Sequence, residues 1–386
     1  MKKSSDHCPT CGAFMRFSPV AGVKLCPSCK DDGTGEKEKC VACKECGAEL
    51  KFEPGASRLV CPYCAHETDV ELGELGGWSA NRENDFHAGV SKMLQAHDPD
   101  MIQIHTVKCG TCAAETTLDT KVDTDECPYC CATLHRRDQA TRKVIRAQAL
   151  LPFKLKREDA REKFREWLKT LPDASEDLQE HARIEDGMRG IYLPFWTYDI
   201  DMVTFYDGKR GDLSGSDGQR KMNWSNVCGS VKHSFDDILI PATNSLPQAL
   251  LEELEPWDLE NLAPYQEEFL SGYRVENYSV DLAVGFHTAR EMTDPIIERD
   301  IRSDVGGDIQ KIAEKEIRYS RITYKHVLLP VWVSAFRCQN QLYRFLVNAR
   351  TGEVQGERPE KGSRLTWGMV GAVAVLLVAL IYLSQR

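Results

Sequence analysis

The spacing of hydrophobic positions changes at about residue 149, where a longer and more regular pattern begins. Residues 157–171 place apolar side chains on one helical face and charges on the other, which predicts an amphipathic helix. Residues 190–201 are rich in aromatic and β-branched residues, which predicts a strand. Earlier in the chain, residues 84–96 have the apolar spacing of a short helix.

A second copy of this pattern occurs near the end of the chain. Residues 309–319 are helical in pattern, and residues 326–336 repeat the Leu-Pro-x-Trp sequence of the first strand. Residues 341–348 alternate and are followed by a turn at 349–352 and a hairpin end at 353–356. These patterns predict an α+β body over residues 149–358, built from two loosely repeated helix–strand units. Pro194 and Pro330 are expected at strand starts or on a sheet edge, because proline donates no ladder hydrogen bond.

The C-terminal region has a third pattern. Residues 367–383 form a 17-residue run without a charge, long enough as a helix to span about 26 Å. Trp367 and Tyr382 stand at its two ends, where aromatic residues anchor at membrane interfaces. Three basic residues precede the run and one follows it. We therefore expect a single transmembrane helix over 365–384, a tail anchor in the inner (cytoplasmic) membrane, with the N-terminal bulk in the cytoplasm.

The 16 cysteines fall mostly in Cys-x-x-Cys pairs, and three units repeat with 14 residues between the inner cysteines of each. The N-terminus has no apolar signal-peptide core, so a reducing compartment and metal binding are favoured over disulfides. The predicted ligands are Cys8, Cys11, Cys26 and Cys29 in unit one; Cys43, Cys46, Cys61 and Cys64 in unit two; and Cys109, Cys112, Cys127 and Cys130 in unit three.

This spacing predicts three small four-cysteine zinc ribbons of β-hairpin type, over residues 1–32, 40–70 and 105–135. A linker with a short helix covers residues 71–104. Each filled site has four thiolates and no open position, so the three zinc ions are expected to be structural. Iron in a rubredoxin-like site is the rival metal. Cys40 could replace a ligand of unit two and Cys131 one of unit three, whereas Cys228 and Cys338 are expected in the core.

The net charge of −10 argues against non-specific coating of nucleic acid. Basic residues do cluster within residues 1–30 and 136–146. No G-x-x-x-x-G-K-S/T, G-x-G-x-x-G, H-E-x-x-H or G-x-S-x-G motif occurs, so no catalytic residue and no organic cofactor are predicted. Asp199 and Asp201 share one face of their strand without an evident partner, and the Asp236-Asp237 doublet is interpreted as a solvated surface.

Several segments resemble those of bacterial zinc-ribbon, C-terminally membrane-anchored proteins, often labelled primosomal protein N′ (replication factor Y)-like or superfamily II helicase-like. They are YLPFWTYD (192–199), FDDILIPAT (235–243), PWDL (256–259), DVGGDIQKI (304–312) and YRFLVNARTGEVQGERP (343–359). The helicase label conflicts with the missing ATPase motifs. Some similar proteins are encoded near SPFH- or phage-shock-type membrane scaffolds, which implies such partners.

Three functions follow as expectations. The first is a non-enzymatic, membrane-tethered adaptor that docks partner proteins, with the lipid bilayer as a second partner through the C-terminal helix; a homo-oligomer is compatible with it. The alternative is nucleic-acid binding by the ribbons, which the basic clusters favour. An enzyme that uses a cleft in the body is the third, and a pocket with convergent ionisable groups would favour it.

Overall fold

We describe a computed structural model of the chain. The residues that the structure describes are 16–18, 23–25, 41–56, 58–69, 82–94, 101–117, 124–130, 132–135, 139–170, 188–215, 221–338 and 341–357.

The described residues form strands and helices that we number in chain order. The strands are β1 (Arg16–Ser18), β2 (Val23–Leu25), β3 (Val41–Ala42), β4 (Glu49–Leu50), β5 (Arg58–Val60), β6 (Glu67–Asp69), β7 (Asn84–Asp85), β8 (Met101–Lys108), β9 (Glu115–Thr117), β10 (Thr124–Glu126), β11 (Thr133–His135), β12 (Gln139–Ile145), β13 (Ala149–Leu150), β14 (Arg189–Ser214), β15 (Lys221–Pro241), β16 (Ala263–Pro264), β17 (Arg274–Val275), β18 (Ile309–Cys338), β19 (Gln341–Asn348) and β20 (Val354–Gly356). The α-helices are α1 (Phe86–Leu94), α2 (Arg157–Thr170), α3 (Gln248–Glu252), α4 (Glu267–Leu270) and α5 (Leu282–Val305), and a 3-10 turn spans Leu259–Asn261.

One large mixed sheet organises the body, in the order β15-β14-β18-β13-β16, with β7, β17, β19 and β20 attached to it. Its centre is the antiparallel pair of β14 and β18. Residues 191–200 of β14 are all buried, as expected for a strand covered on both faces. Beyond residue 201 the burial of β14 alternates, because α5 covers only one face of that part of the sheet.

The body contains an approximate internal two-fold relation, centred where Leu193 of β14 pairs with Leu329 of β18. In the first half, the Trp196 indole donates to the carbonyl of Val280 over 2.9 Å. In the second half, the Trp332 indole donates to the carbonyl of Leu155 over 3.0 Å. A helix begins two residues after each of these carbonyls, α5 in the first half and α2 in the second. The Leu-Pro-x-Trp sequences therefore mark two copies of one arrangement of strands followed by a helix.

Both prolines of this repeat lie inside long, paired strands, so the prediction of strand starts or edges is wrong. Each proline accepts one bond through its carbonyl, Pro194 from the amide of Ala242 and Pro330 from the amide of Ala349. In a regular ladder, the N–H of each of these positions would donate to the carbonyl of the same alanine, Ala242 for position 194 and Ala349 for position 330. Two other amides occupy it: residues 279 and 280 bind Ala242, and residues 154 and 155 bind Ala349. Proline is tolerated here because its partner carbonyl is already satisfied.

The repeat also explains a glycine in α5. A Cβ on Gly285 would lie 2.5 Å from the Tyr198 hydroxyl and 2.9 Å from the Trp196 ring. The equivalent position of α2 is Ala160, which is fully buried. We expect Gly285→Ala to lower the free energy of unfolding by about 1–3 kcal/mol, although alanine normally favours a helix interior. Urea unfolding at one pH measures this, and a stabilised variant would contradict the close packing.

The predicted α+β fold class is wrong, because the described chain is mostly β-structure with few helices. The main error is residues 309–319, which were expected as a helix and instead begin β18, a strand of 30 residues. The helix at 157–171 is confirmed as α2, and the short helix at 84–96 as α1. The strand at 190–201 is confirmed as part of β14, and the hairpin of residues 341–356 as β19 and β20.

The expected membrane attachment is corrected as well. No helix within the described ranges is long and apolar enough to cross a bilayer. The span predicted at 365–384 lies outside those ranges. The inner-membrane location, the tail anchor and the lipid bilayer as a partner are therefore withdrawn, and so are the membrane scaffold proteins that depended on them.

Candidate functional site

Two groups of four cysteines stand out as metal centres. Cys43, Cys46, Cys61 and Cys64 form the first group, and Cys109, Cys112, Cys127 and Cys130 form the second. In each group the four Sγ atoms lie within 4.8 Å of one another, and the closest pairs are 3.5 to 3.6 Å apart. A zinc tetrahedron with bonds of about 2.3 Å places its sulfurs about 3.8 Å apart, so these thiols fit the ion with little movement. Both groups can hold a metal ion.

Each Cys-x-x-Cys pair in these two groups is at the tip of its own hairpin. The strand pairs β3/β4 and β5/β6 carry the first group, and β8/β9 and β10/β11 carry the second. Each group is thus carried by two hairpins, one around each Cys-x-x-Cys pair. The residue after the second cysteine takes a left-handed conformation, with φ of 71° at Gly47, 57° at Ala65 and 60° at Ala113. This turn aims both thiols to the same side.

Within each group, hydrogen bonds and burial give the four thiols different pKa values. A hydrogen bond from the backbone N–H of Cys64 lowers the pKa of Cys61 to about 6. A hydrogen bond with Cys127 lowers the pKa of Cys112 to about 5. Each group therefore contains one thiol that is readily available as a thiolate, the form that binds a metal.

The remaining cysteine predictions have mixed outcomes. The strands β1 and β2 pair with each other, but the four cysteines of unit one lie outside the described residues. Cys40 and Cys131 lie outside them too, and so does the side chain of Cys338. Cys228 is exposed on β15, so its predicted core position is wrong.

The first cysteine group is anchored to the body through Ser271 and Tyr273. The Ser271 hydroxyl donates to the carbonyl of Leu50 over 2.5 Å and accepts the amide of Val41 over 3.0 Å. The Tyr273 hydroxyl donates to the carbonyl of Phe52 over 3.2 Å. Leu50 and Phe52 are buried against this surface, so this ribbon is part of the body's core.

The second cysteine group is anchored to the residues that follow directly. Arg274 binds the carboxylate of Asp125 at 2.9 Å, and Asn277 donates to the hydroxyl of Thr117 at 2.8 Å. Between them, Glu276 accepts the hydroxyl of Tyr129, which stands between Cys127 and Cys130. One stretch, residues 271–277, therefore holds both metal ribbons.

Glu276 is the most deeply buried carboxyl of this junction, with 3% of its surface exposed. Besides Tyr129, it accepts hydrogen bonds from the hydroxyls of Thr243 and Ser245, the latter over 2.8 Å. Burial raises its pKa well above the usual value, and the charge of Glu115 adds to this. In the equivalent position of the second half stands Leu151, so the carboxyl is specific to the half that holds Tyr129. Glu276 belongs to no recognisable motif, and the Cys-x-x-Cys motif assigns no role to Tyr129 between its cysteines, so sequence reasoning missed both.

A second buried ionisable cluster lies on β14, β15 and β18. Asp199, 3% exposed, shares a hydrogen bond with Glu83, while its own carboxylate accepts the amide of Asp237 over 2.7 Å. Burial, followed by the bond with Glu83, raises the pKa of Asp199. The ammonium of Lys325 is buried and pairs with Asp237 at 2.7 Å. Asp199 thus has a partner that its sequence context did not show, and Asp237, although 34% exposed, is paired with a buried lysine.

The basic cluster at residues 136–146 was expected to favour nucleic-acid binding. One of its arginines instead forms contacts within the protein. Arg142 lies over the ring of Tyr278, 5.5 Å from its centroid, and pairs with Asp281 at 3.2 Å. Residues 136–138 lie outside the described ranges.

Comparison with known proteins adds one relative. A Bacillus subtilis (strain 168) protein named "Uncharacterized protein YdjG" is 26% identical over 255 residues, which is 60% of this chain and 71% of that protein. No protein-family model matches the chain, and no solved structure matches it. The resemblance to primosomal-type zinc-ribbon proteins stays a prediction.

Proposed function

We propose that this protein is a zinc-stabilised scaffold that binds another protein and does not itself catalyse a reaction. Zinc is the ion that four thiolates at these distances favour, and a filled four-thiolate site leaves no position for substrate. Both ribbons are packed into the body through residues 271–277. Their zinc ions would therefore stabilise the body, and the binding surface is to be sought elsewhere.

One observation carries the proposal. At one end of the large sheet, three strands are covered by a helix on one face only, and their other face is exposed to solvent. These strands are β15 from residue 221, β14 to residue 214, and β18 from residue 309, and α5 is the covering helix. On the open face, Phe205 and Trp224 are each 41% exposed, and Ile309 is 45% exposed. Tyrosine, tryptophan and phenylalanine are enriched at the centres of protein interfaces.

The edge of this region indicates what binds there. Among the described strands, β15 pairs only with β14, so its outer row of N–H and C=O groups is unpaired in the sheet. Neither proline nor a register shift interrupts residues 221–235. An extended segment of a partner protein can add to this edge as a further strand and place its side chains against Trp224. We therefore propose an extended protein segment as the occupant.

Site-specific cross-linking tests the proposal. A photo-cross-linking residue at position 224 or 205 of the full chain should give adducts with one defined protein segment, identified by mass spectrometry. The matched control is position 284 on α5, where Val284 is 57% exposed on the helix that covers the other face. The purified partner should then bind Trp224→Ala at least about tenfold more weakly than wild type. The same adducts from position 284, or adducts with nucleic acid, would contradict the proposal.

A further inference from the structure

A cavity of about 590 Å³ opens between α1, β7 and the segment that joins β12 to β13. This volume is within the usual range for small-molecule sites. It is lined by Arg82, Asn84, Lys92, Ile145, Arg146, Ala147, Gln148 and Tyr324. Neither the cysteine groups nor the cluster of Asp199, Asp237 and Lys325 contributes a residue to its lining.

The charge of the cavity has one sign. Arg82, Lys92 and Arg146 line it, and no acidic residue does, in a protein whose net charge is −10. The neighbouring Glu83 and Lys325 line a different cavity. Within the described part of the chain, neither Arg82 nor Arg146 forms an ion pair. As far as the described residues go, the two guanidinium groups are thus available to an anion.

The wall of the cavity is held in place by β18. The amide of Gln148 donates to the carbonyl of His326 over 2.9 Å, and His326 Nδ1 lies 3.0 Å from the carbonyl of Ile145. The side-chain oxygen of Gln148 accepts the His326 amide at 3.4 Å, which leaves its amino group as a donor. Across the cavity, Gly89 of α1 packs so closely on Tyr324 that a Cβ would lie 2.4 Å from the ring. Lys92, on α1, and Arg146, next to Ile145 in this wall, therefore extend from packed parts of the body.

We propose that this cavity binds a small phosphate monoester. Guanidinium groups donate paired hydrogen bonds to phosphate oxygens, and a lysine adds a point charge. The buried residues Ile145, Ala147 and Tyr324 give the cavity an apolar wall, against which the organic part of the ester can lie. A small molecule is favoured over a polymer because the site is a recess and not an extended basic groove.

Phenyl phosphate is a suitable probe, because it joins a phosphate monoester to an apolar ring and holds zinc weakly. Titration calorimetry with the zinc-loaded full chain should show one site per chain. We expect the double variant Arg82→Gln/Arg146→Gln to bind at least about tenfold more weakly. The matched control is Lys154→Gln/Lys169→Gln, which removes the same charge from exposed lysines outside the cavity. That variant should bind within about twofold of wild type.

Three outcomes would overturn the proposal. Equal losses of affinity in both double variants would show that phenyl phosphate is attracted by the overall positive charge and is not bound at this cavity. Unchanged affinity in Arg82→Gln/Arg146→Gln would place the phosphate elsewhere. Displacement of phenyl phosphate by a single-stranded oligonucleotide, with a steep salt dependence, would assign the cations to nucleic acid instead. The circular dichroism and melting temperature of each variant separate lost binding from lost folding.

Discussion

Replacing Cys127 by serine should destabilise the whole described body and not only its own ribbon. Cys127 and Cys130 flank Tyr129, whose hydroxyl is bonded to the buried carboxyl of Glu276. Loss of one thiolate weakens a metal site whose binding drives folding, a contribution on the order of 10 kcal/mol in small zinc domains. We therefore expect the free energy of unfolding to fall by about 4 kcal/mol or more. Urea unfolding, with metal content measured by mass spectrometry, checks this.

Cys228→Ser is the matched control, because Cys228 is exposed on β15 and belongs to neither cysteine group. It should retain the zinc content of wild type and change stability by less than about 0.5 kcal/mol. If Cys127→Ser lost one zinc ion but unfolded at the same urea concentration as wild type, the ribbon would be an independent appendage. The contacts through Glu276 would then contribute little to the body.

Changing Glu276 should alter how stability depends on pH. Its pKa in the folded protein is raised well above 4.5 by burial. A carboxyl with a raised folded-state pKa contributes stability that is complete below pH 4.5 and is lost as pH rises through the folded-state value. Glu276→Gln cannot ionise and keeps the acceptor oxygen. We expect this variant to match wild type near pH 4 and to exceed it by about 1–3 kcal/mol at pH 8.

A second substitution at position 276 should lower the free energy of unfolding instead of raising it. Glu276→Leu copies the residue of the equivalent position, Leu151, but removes the acceptor of three hydroxyls. We expect it to lower the free energy of unfolding by about 3 kcal/mol at pH 4, where wild type is neutral at this site. Glu253→Gln, on an exposed residue, is the control and should leave the pH profile as it is. A profile that is identical in wild type and Glu276→Gln would show that the carboxyl remains charged when folded.

The cysteine groups could be predicted from sequence because their chemistry depends on spacing alone. Two residues between paired cysteines set the turn, and the repeat of 22 residues identifies which pairs belong together. Glu276 and Lys325 could not be predicted in the same way. Their partners lie far away along the chain; Tyr129 and Glu276 are 147 positions apart. No local sequence pattern indicates that such distant residues are in contact.

The incorrect helix at 309–319 has a physical cause in the register of β18. Register shifts at Asp207/Gly208 and Asp201/Met202 each insert one extra residue into β18, at positions 313 and 320. Each insertion moves the inward-facing side chains by one position, so half-buried residues occur at 312, then 315, 317 and 319, and the next buried one at 322. Gaps of three between inward positions are the spacing of a helix, and two bulges produced it in a strand.

The pairing of β14 with β18 also has a consequence for how the chain acquires its fold. Leu193 and Leu329 are direct partners although they are 136 positions apart. During synthesis, β14 can form its hairpin with β15 early, but its other edge has no partner until β18 has emerged from the ribosome. Such distant pairings fold slowly and leave an unpaired edge open to aggregation in the meantime. We therefore expect the incomplete chain to depend on chaperones until β18 is available to pair with β14.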